Sequence, residues 1–379
     1  MMRQVMGIIY TAKDDFSLRE LTTQRAVAAL PVAGRYRMID FLLASMVNSG
    51  MRKVGIITQR NYQSLMDHLG SGQEWDLHTR NNGGLFILPP FTTQENDGEY
   101  DGVLGALHSN VDFMRRSNQE YVILSGAHTA FNTTFNDMFA EHVKSGADIT
   151  MMYTRDTSKL EKSSSNNQEH VYCNVAEDGT VSNMEINPNV PTASCFAMDC
   201  IIIKRTLLMH LVDMAHAHGQ AHLFGDLIRP SLENGMLKIR GYEFKGYQRR
   251  VETVKGFYKL NMDMLDYSIR KEMLASNPVY TKVRDEVPAK YADSAEVKNS
   301  LIADGCVIEG TVENSILFRG VRIGKGAVVK NCILMQGVEV QDGAQLSHVI
   351  SDKDAFIKRD RRMAGQESYP IVIEKNAVI

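Results

Sequence analysis

The sequence predicts two architectures in series. An α/β domain with a mostly parallel, doubly wound sheet covers residues 1–278, a linker covers 279–298, and a parallel β-helix covers 299–379. Three observations carry this prediction. In the first half, short apolar strands alternate with segments of helical period, the pattern of βαβ units. Near the end, Val328, Leu334, Val340 and Leu346 recur six apart, as do Ile302 and Ile308, with glycines between them. That spacing is the hexapeptide repeat of a three-sided coil, with one aliphatic residue pointing inward per side. Finally, 379 residues exceed one ordinary hydrophobic core.

The elements follow in order. Met6–Tyr10 is a short apolar strand, and Met38–Asn48 has helical apolar spacing that ends at Ser49-Gly50. Val54–Thr58 is the next strand, followed by helical stretches at Tyr62–Leu69 and Leu104–Met114. Val122–Leu124 is a buried strand that runs into the turn Ser125-Gly-Ala-His128. The carboxyl end of such a strand is where an α/β sheet places its ligands. A helix at Phe135–Ser145 and a strand at Asp148–Tyr153 come next, then a polar loop up to Gln168. Strands are predicted at 171–175, 201–203 and 238–244, and helices at 207–216, 226–233 and 254–275.

A net charge of −3 lacks the basic excess that a nucleic-acid or membrane-surface role requires. No apolar run is long enough to span a bilayer, and the first ten residues lack a secretory-signal pattern. The five cysteines have no metal-like spacing and are read as free thiols in a reducing cytoplasm.

The segment Leu18–Phe41 resembles the pattern R-L-x-x-L-T-x-x-R-A-K-P-A-V-x-x-G-G-K-Y-R-x-I-D-F of the glucose-1-phosphate adenylyltransferases, also called ADP-glucose pyrophosphorylases. The likeness continues through His68–Gly72, Trp75–Leu77, Ile87–Pro90, Tyr121–Gly126, Gly225–Pro230 and Asn261–Leu265, and into the repeat. It implies a Rossmann-like, GT-A-like nucleotidyltransferase domain followed by a left-handed β-helix. It also implies a chemistry: a sugar phosphate attacks the α-phosphate of ATP and releases pyrophosphate. That reaction needs a Gly-rich loop against the triphosphate, phosphate-neutralising cations, and carboxylates for Mg²⁺.

Each of these requirements meets a departure. The family's G-G-x-G-T-R loop is Ala12-Lys-Asp-Asp-Phe-Ser17, so Lys13 and Asp15 occupy catalytic positions and Asp14 adds further negative charge. Val27 replaces the phosphate lysine, and Gly105 replaces an aspartate after Tyr100. Ala127 replaces the metal-binding aspartate of S-G-D-H, and Arg250 replaces that of D-V-G-T-I. Ile186 and Asn187 fall on the sugar-phosphate Glu-Lys pair, and Asp199 fills a tight-turn glycine. Losing one positioned charge commonly costs about 10²–10³ in rate, so several independent losses imply little catalysis.

The pattern resembles the regulatory partner that accompanies a catalytic subunit in some bacterial glycogen pathways. It implies a hetero-oligomer, in tetramers, with Mg²⁺ needed only at the catalytic partner and no cofactor for this chain. A residual nucleotide or anion pocket would comprise Arg25, Gln59, Gly84, Tyr100 and Gly126, with a nucleotide or sugar phosphate as ligand. Arg37, Asp40, Asn48 and Trp75 are read as packing or interface residues. The basic cluster Arg25, Arg35 and Arg37 is read as solvated charge, with anion binding as its alternative. His348 is read as surface. Two further functions stay open: an active nucleotidyltransferase whose metal moved to Glu252, Asp14 or Asp15, and a metabolite-sensing scaffold.

Overall fold

The computed structural model describes residues 2–11, 16–78, 83–90, 100–158, 160 and 169–379. The loop positions Lys13, Asp14 and Asp15 and most of the polar loop before Glu169 lie outside these residues. Along the chain, β1 (Val5–Tyr10) precedes a hairpin of β2 (Pro31–Val32) and β3 (Tyr36–Arg37), then α1 (Met38–Asn48). β4 (Lys53–Ile57), α2 (Gln63–Leu69) and β5 (Gly84–Leu88) build one flank of the sheet. α3 (Gly102–Ser109), α4 (Val111–Arg115) and β6 (Tyr121–Gly126) return the chain to the other flank. β7 (Thr129–Phe131), α5 (Asn136–Ser145), β8 (Ile149–Thr154), β9 (Val171–Val175), β10 (Val181–Ile186) and β11 (Cys195–Lys204) follow. The domain closes with α6 (Arg205–Ala217), a π-helical turn at Leu223–Ile228, α7 (Arg229–Glu233), β12 (Ile239–Glu243), β13 (Gln248–Arg250), α8 (Val254–Asp263) and α9 (Tyr267–Leu274).

The main sheet runs β10-β9-β11-β6-β1-β4-β5, with β8 and β12 joined beside β11. β1 pairs in parallel with both β4 and β6, whereas β11 is antiparallel to β6. β1 is buried along its length, as a central strand covered on both faces must be. Its side chains alternate. Met6, Ile8 and Tyr10 pack with Leu104, Leu107 and Leu208, while Val5 and Ile9 pack with Ile39, Leu42 and Leu43. From β1 the chain moves to β4 and β5, then returns to place β6 on the opposite side of β1. A crevice therefore opens at the carboxyl ends of β1 and β6.

The C-terminal domain is three five-stranded parallel sheets. Ile308, Ile323, Val340 and Ile357 stack in register along one of them and are buried. Here the hexapeptide spacing is realised as a β-helix.

Among the boundaries that differ from the sequence reading, such as the expected helix Leu104–Met114 divided into α3 and α4, two have clear causes. The first coil begins at Lys290, because Lys290–Tyr291 and Glu296–Lys298 already pair with the coil above, so the linker ends well before 298. Before residue 299 its inward residues are Ala289, Ala295 and Val297, too small and irregular to announce a coil. The single helix expected at 254–275 is two, because Asp266 caps α9 by accepting the Ser268 N–H at 2.7 Å.

The two domains share an apolar cluster in which Val32, Phe41 and Phe257 meet Ile316, Ile333 and Ile350 of the coil. Beside it, Arg25 donates to both carboxylate oxygens of Asp352, at 2.8 and 2.9 Å.

Candidate functional site

The crevice at the ends of β1 and β6 brings together residues far apart in the chain. The Ala127 N–H donates to the Tyr10 carbonyl at 3.0 Å, which fixes the turn after β6 against the end of β1. β7 then pairs antiparallel with β13, placing Thr129 opposite Arg250, and the Val251 N–H donates to the His128 carbonyl at 2.8 Å. The pairing thus brings Arg250 beside the turn that carries Ala127.

Arg250 is only 4% exposed. One guanidinium nitrogen donates to Asp199 at 2.7 Å, Nε donates to Glu252, and a third contact reaches the Glu169 carbonyl at 3.2 Å. The same Asp199 oxygen lies 2.6 Å from His128 Nε2, and the second Glu252 oxygen lies 2.6 Å from His170 Nε2. Burial alone would raise both carboxyls. The Arg250 charge, with His128 on one and His170 on the other, outweighs it: Asp199 is lowered and Glu252 falls to about 2. Burial tends to lower the Arg250 guanidinium, yet Asp199 and Glu252 raise it above its ordinary value. Tyr10, buried beside Asp199, is pushed well up. Two carboxylates, one guanidinium and two imidazoles form a cluster whose charged groups are buried and paired with one another.

Neighbouring groups are also committed. The Glu169 carboxylate accepts the backbone N–H groups of Phe224 and Gly225 at 3.0 and 2.5 Å, taking the kind of backbone nest that otherwise receives a ligand's anion. Asn187 exchanges hydrogen bonds with the His170 backbone at 2.7 and 2.9 Å. Ile186 ends β10 beside it. Val27 is buried in the apolar cluster with Leu18, Leu21 and Leu30. Asp199 adopts φ +50, the left-handed conformation expected where a glycine was replaced.

These residues do not fit a divalent cation. Ala127 offers no side-chain oxygen, the Arg250 guanidinium is held on Asp199, and both Glu252 oxygens are engaged. Among the described residues, no group of three or more His, Cys, Asp or Glu side chains is disposed to hold a metal.

The residual pocket expected from sequence does not assemble as one site. Gln59 follows the end of β4, Tyr100 packs with Tyr10 and Ile57, and Gly126 ends β6, all on the crevice side. Gly84 instead starts β5 opposite Lys53, a strand's length from the crevice. Arg25 is buried against Asp352 in the domain interface. The basic cluster also divides, since Arg25 is not solvated and Arg37 donates to Ser64 at 2.8 Å. Asp40 receives the Arg37 N–H and pairs with His68 at 2.6 Å, while Trp75 is fully buried. Asn48 donates to the Pro278 carbonyl, and half-buried His348 lies against Tyr258. Sequence reasoning missed Glu169, His170 and Tyr10. The available signal was Arg250 itself, since a buried guanidinium obliges carboxylates to gather around it.

A second cavity, of about 80 Å³, opens between the domains. Its wall carries six cations, Arg35, Arg37, Lys282, Arg284, Arg319 and Lys353, against the single carboxylate of Asp67. Arg319 is 9% exposed, and its Nε and one terminal nitrogen have no protein partner. Burial, with Arg35 and Arg284, lowers Arg319, and burial lowers Arg37 to about 10. Lys353 falls to about 8 through burial and the charges of Arg37 and Arg25.

Residues 17–304 match the nucleotidyl transferase family model, and residues 286–368 match the GlmU-like C-terminal hexapeptide model. Across 99% of this chain and 97% of the relative, the sequence is 37% identical to the glycogen biosynthesis protein GlgD of Bacillus subtilis (strain 168). It is 35% identical to the GlgD of Geobacillus stearothermophilus over 87% of this chain and 84% of that one. The glucose-1-phosphate adenylyltransferase of the same organism is 34% identical, again over 87% and 84%. The chain belongs to the glucose-1-phosphate adenylyltransferase family of nucleotidyl transferases. In this member of the family, the crevice where nucleotidyl transfer would occur is occupied by the chain's own charges.

Proposed function

We propose that this chain is a regulatory subunit with little or no activity of its own. It would assemble with a catalytic glucose-1-phosphate adenylyltransferase subunit and promote ADP-glucose synthesis for glycogen. The observation that carries the reading is Arg250, buried between Asp199 and Glu252 on the strand that pairs with Thr129, two residues past Ala127. A fixed cation there repels a divalent metal and engages the carboxylates of Asp199 and Glu252. Mg²⁺ then belongs to the partner. The relatives support the pairing, since Geobacillus stearothermophilus carries both a GlgD and a glucose-1-phosphate adenylyltransferase related to this chain. All five cysteines are free and buried, which fits the reducing cytoplasm. Among the described residues, no helix is long and apolar enough to cross a membrane.

Activation must come from differential contact with two states of the partner, because equal binding to both shifts nothing. The test is kinetic. The chain is assayed alone with ATP, Mg²⁺ and glucose 1-phosphate, then titrated into a catalytic subunit. Turnover alone comparable to the partner's would refute the non-catalytic half, and an unchanged partner would refute the regulatory half.

The interdomain cavity favours a second function for the same subunit, anion sensing. Six cations facing one carboxylate, with Arg319 donors unpartnered, are costly unless an anion offsets them. A phosphorylated metabolite supplies that charge. Calorimetric titration with orthophosphate and with sugar phosphates tests it, and an Arg319→Ala variant should lose the heat of binding.

A further inference from the structure

We propose that Lys353 is a site of acylation by small acyl phosphates, which the interdomain cavity selects through their phosphate group. This rests on the anion-sensing reading of the cavity. Its geometry supplies both halves of such a reagent's recognition. Arg319, with two buried nitrogens lacking a protein partner, and Arg37 present guanidinium donors, whose fork matches a phosphoryl group. Lys353 lines the same cavity and follows Asp352, whose carboxylate is held by Arg25 and by the Lys353 backbone N–H at 2.7 Å. No salt bridge of the Lys353 amine is present among the described residues, and Arg25, Arg37 and Lys375 disfavour its charge.

The amine is therefore nucleophilic under ordinary conditions. At pH 7.5 a group titrating near 8 is about one-quarter unprotonated. An exposed lysine at its ordinary pKa is only about 0.1% unprotonated. The free-amine fraction thus differs by about 200-fold, of which reduced basicity takes back a part. The neutral Nζ attacks the acyl carbon, the C–O bond to phosphate breaks, and inorganic phosphate leaves with the bonding pair. The ammonium proton passes to water or to the departing phosphate. The product is a neutral amide in the cavity wall, one positive charge fewer beside the Arg25–Asp352 bridge that joins the domains. Acylation would thus lower the cavity's affinity for anions and record exposure to an acyl phosphate after the reagent has gone.

The experiment treats the full-length chain with acetyl phosphate at pH 7.5 and follows each lysine by peptide mass spectrometry. A parallel sample receives the N-hydroxysuccinimide ester of acetic acid, which carries no phosphate. Relative to exposed Lys330 and Lys358, acetyl phosphate should favour Lys353 at least about tenfold more than the ester does, because the ester draws on the free-amine fraction alone. Orthophosphate should slow the acetyl phosphate reaction at Lys353, and Arg319→Ala should reduce the acetyl phosphate preference to that of the ester. A preference of acetyl phosphate for Lys353 no greater than that of the ester overturns the proposal. If orthophosphate still binds by calorimetry in that case, the anion-sensing reading stands without it; if it does not bind, both fall.

Discussion

Replacing Arg250 by alanine removes the one full-time cation shared by two buried carboxylates. Asp199 and Glu252 are 5% and 3% exposed, so neither recovers its lost partner from water. Deleting one member of a buried ion pair costs about 3–5 kcal/mol, and the double engagement of Arg250 places this variant at the upper end. For a domain of this size that corresponds to a fall in Tm of about 8–10 °C. The pH dependence of the loss is diagnostic. In the native chain both carboxyls are lowered, so their contribution is complete above the ordinary carboxylate range and is lost only as the pH falls through the folded pKa, about 2 for Glu252. Without Arg250, burial lifts both carboxyls, and the folded variant binds protons that the unfolded chain releases. Its stability then rises as the pH falls from about 8 to about 5, where the gap to the native chain should narrow. Scanning calorimetry of both proteins across that range decides the matter. A deficit below about 1 kcal/mol, or one that stays constant with pH, would refute the account of Arg250 as the cluster's counter-ion.

Other perturbations test other parts. Gly126→Ala places a methyl 2.5 Å from His128 Cε1 and 2.9 Å from Nδ1, so it should cost about 1–3 kcal/mol. Adding His128→Ala should relieve the clash, and strict additivity of the two losses would argue against it. Breaking the domain bridge with Asp352→Asn should cost about 3–5 kcal/mol and separate the unfolding of the two domains in calorimetry. One undivided transition at the native temperature would count against that role. Glu252, held at about 2, should contribute about 3 kcal/mol that is present above pH 4.5 and lost toward pH 2. Urea unfolding of Glu252→Gln should lack that acid-range slope, and a slope equal to the native one would place the pH sensitivity elsewhere.

What the sequence made legible were features carried by local period. α1 spans Met38–Asn48, the range its apolar spacing delimits, and the six-residue spacing of Leu334, Val340 and Leu346 recurs as stacked coils, with Val329 rather than the expected Val328 turned inward. Features made by distant pairing were hidden. Arg25 reads as surface charge because its partner Asp352 lies 327 positions away, and no local signal joins them. Gly84 reads as crevice backbone because the direction of β5, which sends its first residue away from the crevice, is a property of the sheet. The gap between α8 and α9 was visible in principle, since Asp266 two residues before Ser268 is a helix start, but the apolar period runs through it. At the crevice, the replaced residues could be read singly. Their joint consequence, one guanidinium serving Asp199 and Glu252, needed the pairing of β7 with β13.

That joint consequence bears on whether the lost chemistry could be returned. A double variant, Ala127→Asp with Arg250→Asp, restores carboxylates at both metal positions and removes the internal cation. It also gathers four carboxylates, counting Asp199 and Glu252, around a turn where the native chain places the Arg250 guanidinium. Such a cluster is unstable unless a cation enters, so added Mg²⁺ should raise the variant's Tm while leaving the native chain unchanged. Turnover is a separate matter. Val27 remains packed among leucines, and Asn187 remains bound to the His170 backbone, so neither phosphate cation returns. Two missing positioned charges at about 10²–10³ each leave the variant about 10⁴–10⁶-fold below a catalytic relative. Turnover within 100-fold of that relative would show that Arg250 and Ala127 alone silence the chain. A Tm that ignores Mg²⁺ would show that the crevice is closed by more than its charge.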